Sequence, residues 1–182
     1  MRMPDNPNRN LAFDENKLCS IVLAGGCFWG TQAYIRRIRG VARTECGYAN
    51  GRTENPDYKQ VCGGATGHAE AVLVQYDADI LPLQKLLSEY FSTINPTSRN
   101  RQGGDAGTQY RTGIYYSNPS DEAVIRAVIS EEQRKVEAPI VTEVLPLTCF
   151  YRAEDCHQDY LEKNPNGYCH VDLSRLPREG LL

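Results

Sequence analysis

The run Cys19-Ser20-Ile21-Val22-Leu23-Ala24 passes directly into Gly25-Gly26-Cys27-Phe28-Trp29-Gly30, and no other stretch restricts the chain as tightly. Its apolar first half reads as a buried strand. Thr31 to Arg39 reads as a short helix stopped by Gly40, with Arg36, Arg37 and Arg39 in its last turns. A strand that becomes a helix within a few residues needs a sharp turn, and the glycines on both sides of Cys27 permit one while leaving room for a ligand. Cys27 therefore falls at a strand-to-helix junction. Unpaired backbone N–H groups and the helix dipole favour a thiolate there. The competing reading is a small cysteine packed in the core, the commonest fate of a free thiol.

Other apolar runs set the rest of the fold. Val41 to Tyr48 reads as a second strand, Ala71 to Tyr76 as a third that is buried, and Arg111 to Tyr116 as a fourth. Between the last two, Leu83, Leu86, Leu87, Tyr90, Phe91 and Ile94 keep helical spacing, which predicts an amphipathic helix over 82–93. The order β-α-β-β-α-β predicts an α+β fold, a two-layer sandwich with a ferredoxin-like core plus extra helices and long loops. Asn118 and Pro119 predict a helix start, with the helix running to about Val136, and Ile140 to Leu145 predicts one more strand. Ala153, Cys156, His157, Tyr160 and Leu161 fall on one helical face. The expected organisation is a loose leader over 1–17, one catalytic domain over 18–170 and a tail over 171–182.

Composition removes several classes of function. A net charge of −3 over 182 residues offers no basic surface for nucleic acid or an anionic membrane. No stretch approaches the roughly 18 apolar residues of a membrane span, and the polar start lacks a signal-peptide core, so the expectation is a cytoplasmic monomer. The seven cysteines are odd in number and contain no C-x-x-C. That argues for reduced thiols rather than a disulfide scaffold, a zinc ribbon or a thioredoxin-like motif. Cys149, Cys156-His157 and Cys169-His170 fit no standard zinc spacing.

Several polar residues join Cys27 as candidates for chemistry. Glu70 enters the buried strand at 71, where desolvation raises a carboxyl pKa and suits it to act as a general acid. Its bland alternative is a strand-end carboxylate facing water. Tyr58, Asp105 and Tyr110 lie in polar loops beside strand ends, where hydroxyls donate to a substrate oxygen. Residues 95–110 form a long loop with three glycines, but no Gly-Lys-Ser/Thr follows to make it a phosphate cradle. Phe28 and Trp29 suit either an apolar pocket or the core. Cys169 sits in the turn-rich Asn164–His170 segment, where mobility lets a second thiol condense with a sulfenic acid. A cysteine hydrolase pairing Cys27 with His68 or His157 is a different reading of the same residues.

Taken in order, Gly25–Gly30, Asn55–Cys62, Thr66–Glu70, Arg101–Arg111 and His157–Leu161 through Cys169 resemble the peptide methionine sulfoxide reductase A family. The resemblance spans about residues 20–170. It implies reduction of the S epimer of methionine sulfoxide, protein-bound or free, with no metal or organic cofactor. Cys27 corresponds to the nucleophile and Glu70 to the acid. Tyr58 and Tyr110 correspond to donors to the sulfoxide oxygen, with Asp105 shaping that polar site. Phe28 and Trp29 correspond to the pocket for the substrate methyl group. Cys169 corresponds to the thiol that resolves the Cys27 sulfenic acid into a disulfide, with Cys156 a rival, and thioredoxin is the implied reductant. Gln32 stands where many members carry glutamate, and Gly104 where many carry asparagine.

Overall fold

A computed structural model describes residues 3–176. In chain order the elements are β1 (Leu18–Gly25), α1 (Phe28–Ile35), β2 (Val41–Ala49), α2 (Tyr58–Cys62), β3 (Ala69–Asp77), α3 (Leu83–Ser92), β4 (Arg101–Gln102), β5 (Asp105–Ala106), β6 (Thr112–Tyr116), α4 (Asp121–Gln133), β7 (Glu143–Pro146), β8 (Phe150–Arg152) and α5 (Tyr160–Lys163). Six strands form one sheet in the order β7-β6-β1-β3-β2-β8, and β4-β5 make a separate ribbon. The central pairs are antiparallel; only β6 and β7 run parallel. The fold is a compact α+β arrangement.

Alternation within the strands divides the interior in two. Ile21 and Leu23 of β1 share one core with Leu86, Leu87 and Tyr90 of α3 and with Ile125 and Val128 of α4. Val22 and Ala24 point to the other face, where Ala49, Ala69, Ala71 and Tyr115 form a smaller cluster closed by Leu147 and Phe150. Each large aliphatic side chain buried in the first core stabilises the fold by about 1.5–3 kcal/mol. In α3, Leu83, Leu86, Leu87, Tyr90 and Phe91 are the buried residues, so the predicted stripe is the one that packs. Among the described residues no helix is long and apolar enough to cross a membrane.

The structure departs from the sequence expectations at several ends. Helix α1 begins at Phe28 rather than Thr31, because Gly26 (φ +81°) turns the chain early enough for Cys27 to be the N-cap. It ends at Ile35, so the arginines lie beyond it. Arg37 is buried there, bonding Ala33 O at 2.8 Å and Pro4 O at 2.7 Å and pairing with Glu162. Asn118 does not cap α4 directly: it accepts from Ser120 N at 3.1 Å, one residue before the helix. The single helical face expected over 153–161 is broken into a 3-10 turn (Asp155–His157) and α5 by Asp159, which adopts φ +53°. Arg36 pairs with the Asp159 side chain, and Gln32 Oε1 accepts the Asp159 amide at 2.8 Å.

Both flanks make contacts with the domain where they are described. Asn8 is buried, donating to Arg36 O and Ile38 O and accepting from Gly40 N at 2.9 Å. Val171, Leu173 and Leu176 join the main core. Residues 1–2 of the expected leader and 177–182 of the expected tail lie outside the described residues.

Candidate active site

Cys27 occupies the end of β1 and the N-cap of α1, at the opening of the junction between the two. Its side chain retains 7% exposure. Burial pushes the thiol pKa well above its ordinary value; the neighbouring Glu70, Asp105 and Cys169 add to this, and the Trp29 backbone N–H opposes it. The expectation of a resting thiolate at the helix start is therefore corrected. The N-terminal dipole is present, but loss of water and surrounding acidic groups outweigh it. At rest Cys27 is a neutral thiol.

Glu70 is the second residue of β3, at the strand's entrance, and is 1% exposed. Strand β3 is central, flanked by β1 and β2, which helps to bury the carboxyl. Its Oε2 accepts the Phe28 amide at 3.1 Å, while Oε1 has no partner. Burial pushes its pKa up to about 8, against the Phe28 hydrogen bond and with the help of Asp105. At neutral pH Glu70 is mostly a protonated acid, and its proton is free to sit on the unpartnered oxygen.

Three polar groups lie near this acid, none of them in the irregular loops the sequence suggested. Asp57 caps α2 in a capping box with Gln60, which places Tyr58 in the helix's first turn. The 3-10 turn Thr108–Tyr110 carries Tyr110, and Arg111 pins that turn by bonding Thr108 O at 2.9 Å and Gly67 O at 3.0 Å. Both tyrosines keep their protons, because burial raises their pKa values; Glu70 adds to each shift. Asp105, on the β4-β5 ribbon, has a buried Oδ2 without a partner. Orphaned buried oxygens on both Glu70 and Asp105 mark a place prepared for a polar atom.

The apolar wall is aromatic. Phe28 is fully buried, its ring 5.9 Å from Tyr48 and 5.4 Å from His157. Trp29 stays half-buried, stacked on Tyr160 at 3.7 Å, and its Nε1 donates to His157 Nδ1 at 3.1 Å. The Tyr58 ring lies 4.4 Å from His157. Glu154 holds this wall to the sheet: it accepts from Tyr48 OH at 2.7 Å and from Tyr58 N at 2.8 Å. Sequence reasoning did not single out Glu154. It follows the edge strand β8, and no local pattern marks it.

Cys169 reaches the same end of α1. A Cβ added at Gly30 would lie 3.0 Å from its Sγ, and the thiol bonds Val171 O at 3.3 Å. Beside it opens a cleft of about 410 Å³ lined by Met3, Pro4, Leu161 and Val171 among others. Cys156 is exposed. Neither candidate histidine pairs with Cys27. His68 accepts from Gly51 N at 3.0 Å and contacts Thr53 O at 2.8 Å, while His157 receives the Trp29 indole. Among the described residues no group of three His, Cys, Asp or Glu side chains converges to hold a metal. Gln32 is buried, accepting from the Cys46 thiol and donating to Thr44 O at 3.4 Å; a carboxylate there would lack the second bond.

A thiol, a buried acid and two tyrosines around an aromatic wall define a thiol-based oxidoreductase site. Comparison with known proteins makes this specific. The family profile of peptide methionine sulfoxide reductase matches residues 19–179. A peptide methionine sulfoxide reductase MsrA from Clostridium botulinum is 57% identical over 153 residues, covering 84% of this chain and 98% of that protein. The reduced form of Mxr1 from Saccharomyces cerevisiae superposes with a TM-score of 0.83 at 37% identity, covering 90% of this chain and 96% of the other. Mxr1 in complex with Trx2 also matches, with a TM-score of 0.59 at 25% identity over 84% and 91% of the two chains. The chain belongs to the peptide methionine sulfoxide reductase family, on its MsrA branch, and is an oxidoreductase.

Proposed function

We propose that this protein reduces the S epimer of methionine sulfoxide, protein-bound or free, through a sulfenic acid on Cys27. The observation that carries the reading is the buried Glu70, protonated by its surroundings, with Oε2 bonded to the amide that follows Cys27 and Oε1 unpartnered. The Cys27 thiol releases its proton as its sulfur attacks the sulfoxide sulfur; Glu70, aided by the Tyr58 and Tyr110 hydroxyls, supplies a proton to the oxygen and is reprotonated by the one the thiol gives up. Methionine leaves and the oxygen remains on Cys27 as S–OH. The Trp29 side of the aromatic wall, backed by Phe28, receives the substrate methyl group.

Cys169 then attacks the Cys27 sulfur, forming S–S and releasing the hydroxyl as water. A thioredoxin restores both thiols by exchange, a reading supported by the complex of yeast Mxr1 with Trx2. The seven free cysteines suit a reducing cytoplasm. The four-strand core, with β3 between β1 and β2 and with β1 between β3 and β6, supports the ferredoxin-like description.

Replacing Cys27 with serine tests the assignment. Consumption of methionine S-sulfoxide is expected to cease, with the R epimer untouched by either protein. Turnover that survives the substitution overturns it.

A further inference from the structure

His170 holds a set of contacts that the reaction described above does not use. Its Nε2 lies 2.9 Å from Gly25 O, and a carbonyl only accepts, so Nε2 carries the proton and donates. Nδ1 is buried and has no partner. Burial lowers the pKa of this imidazole, against the Gly25 carbonyl and Asp105, which both raise it. Two glycines with left-handed backbone make room for the ring. A Cβ at Gly26 (φ +81°) would lie 3.1 Å from Nε2, and one at Gly103 (φ +57°) would lie 3.0 Å from His170 Cβ. The preceding Tyr168 is fixed as well, its hydroxyl accepting from Gly104 N at 3.3 Å.

Cys169 thus lies between two anchored neighbours. One is moored to the turn that carries Cys27, the other to the β4-β5 ribbon that carries Asp105. The residues on either side of Cys169 are hydrogen-bonded to the domain, in a segment the sequence suggested to be mobile. A disulfide demands Cα atoms about 4.4–6.8 Å apart and a narrow dihedral range, so a thiol on a freely moving loop meets its partner rarely.

We propose that His170 is a positioning residue for the resolving step: its bond to Gly25 O holds Cys169 where it can attack the Cys27 sulfur. The proposal rests on the reading of Cys169 as the resolving thiol. In the step it assists, the Cys169 sulfur loses its proton and bonds to the Cys27 sulfur. The S–O bond of the sulfenic acid breaks, and the hydroxyl leaves as water with that proton.

The test is a single turnover of the intact protein with methionine S-sulfoxide and no reductant. Methionine release and formation of the Cys27–Cys169 disulfide are followed separately by quenched mass analysis, with a dione to trap sulfenic acid. For His170→Ala, methionine release is expected at the wild-type rate, with disulfide formation slower by about 10- to 10²-fold and trapped Cys27 sulfenic acid accumulating. His170→Gln reaches Gly25 O with an N–H and is expected to restore the rate. His170→Asn has the same amide on a shorter stem and is expected to behave like alanine; the Gln–Asn pair carries the comparison if the alanine variant does not fold. Disulfide formation that keeps pace in both His170→Ala and His170→Asn overturns the proposal, as does an equal loss of both steps in them. Absence of the disulfide from the wild-type protein instead overturns the assignment of Cys169.

Discussion

The Phe28 amide donates to Glu70 Oε2 at 3.1 Å, so the acid on β3 is tied to the residue that follows the nucleophile. One hydrogen bond thereby links the buried carboxyl to the turn that carries Cys27. It also leaves the second carboxyl oxygen of Glu70 unpartnered, where the proposed general acid would meet the substrate oxygen.

Glu70→Gln keeps an acceptor for the Phe28 amide but has no proton to give. Single-turnover methionine release is expected to fall by about 10²–10⁴-fold, the usual size of general-acid catalysis. In the wild-type protein the same step should hold level at lower pH and decline as pH rises through about 8, where the acid ionises. Stability follows the same sign. The folded pKa is raised above the unfolded one, so the contribution of Glu70 is complete below about 4.5 and is lost as pH climbs to about 8. Denaturant melts should find Glu70→Gln gaining on the wild type across that window.

Tyr58→Phe and Tyr110→Phe remove one donor each from the oxygen site without changing ring packing. Each alone should slow methionine release modestly, because the other hydroxyl remains. The double substitution is expected to cost roughly 10²–10³-fold. Wild-type rates in the double variant would separate these hydroxyls from the chemistry.

Glu154→Ala removes the acceptor shared by Tyr48 OH and Tyr58 N. A loss of about 1–3 kcal/mol is expected in equilibrium unfolding, because the buried Tyr48 hydroxyl loses its partner. The rate should fall too, through displacement of Tyr58; the two bonds use different carboxylate oxygens, so Glu154→Gln keeps an acceptor for only one of them and should fall between alanine and wild type.

Cys169→Ser should allow one methionine per protein and then stop under thioredoxin, whereas Cys156→Ser should cycle normally. Cys169 packs against α1 and acts on the Cys27 thiol, while Cys156 is exposed on a 3-10 turn. Normal cycling of the Cys169 variant would transfer the resolving role elsewhere.

The long elements were legible because they are periodic. The apolar runs at 19–25, 41–48 and 71–76 are β1, β2 and β3, and the stripe from Leu83 to Phe91 is α3. Shorter elements depend on contacts distant in the chain. The bend at Asp159 rests on Gln32 and Arg36, and β8 forms only by pairing with β2. The site divides the same way. Cys27, Glu70, Tyr58, Asp105 and Tyr110 were recognisable from local motifs, and the structure gathers them around one end of β1. Glu154 acts through Tyr48, across more than a hundred positions of sequence, and carries no signature of its own. The ionisation of Cys27 was misjudged because helix polarity can be read from sequence, whereas the depth of a thiol cannot.

None of the seven sulfurs is cross-linked, and the sheet and its helices close over two cores with no covalent brace. The architecture consequently owes nothing to the oxidation level of its sulfurs. The two cores are packed with every thiol reduced, so the Cys27–Cys169 bridge proposed above is not what holds the scaffold together.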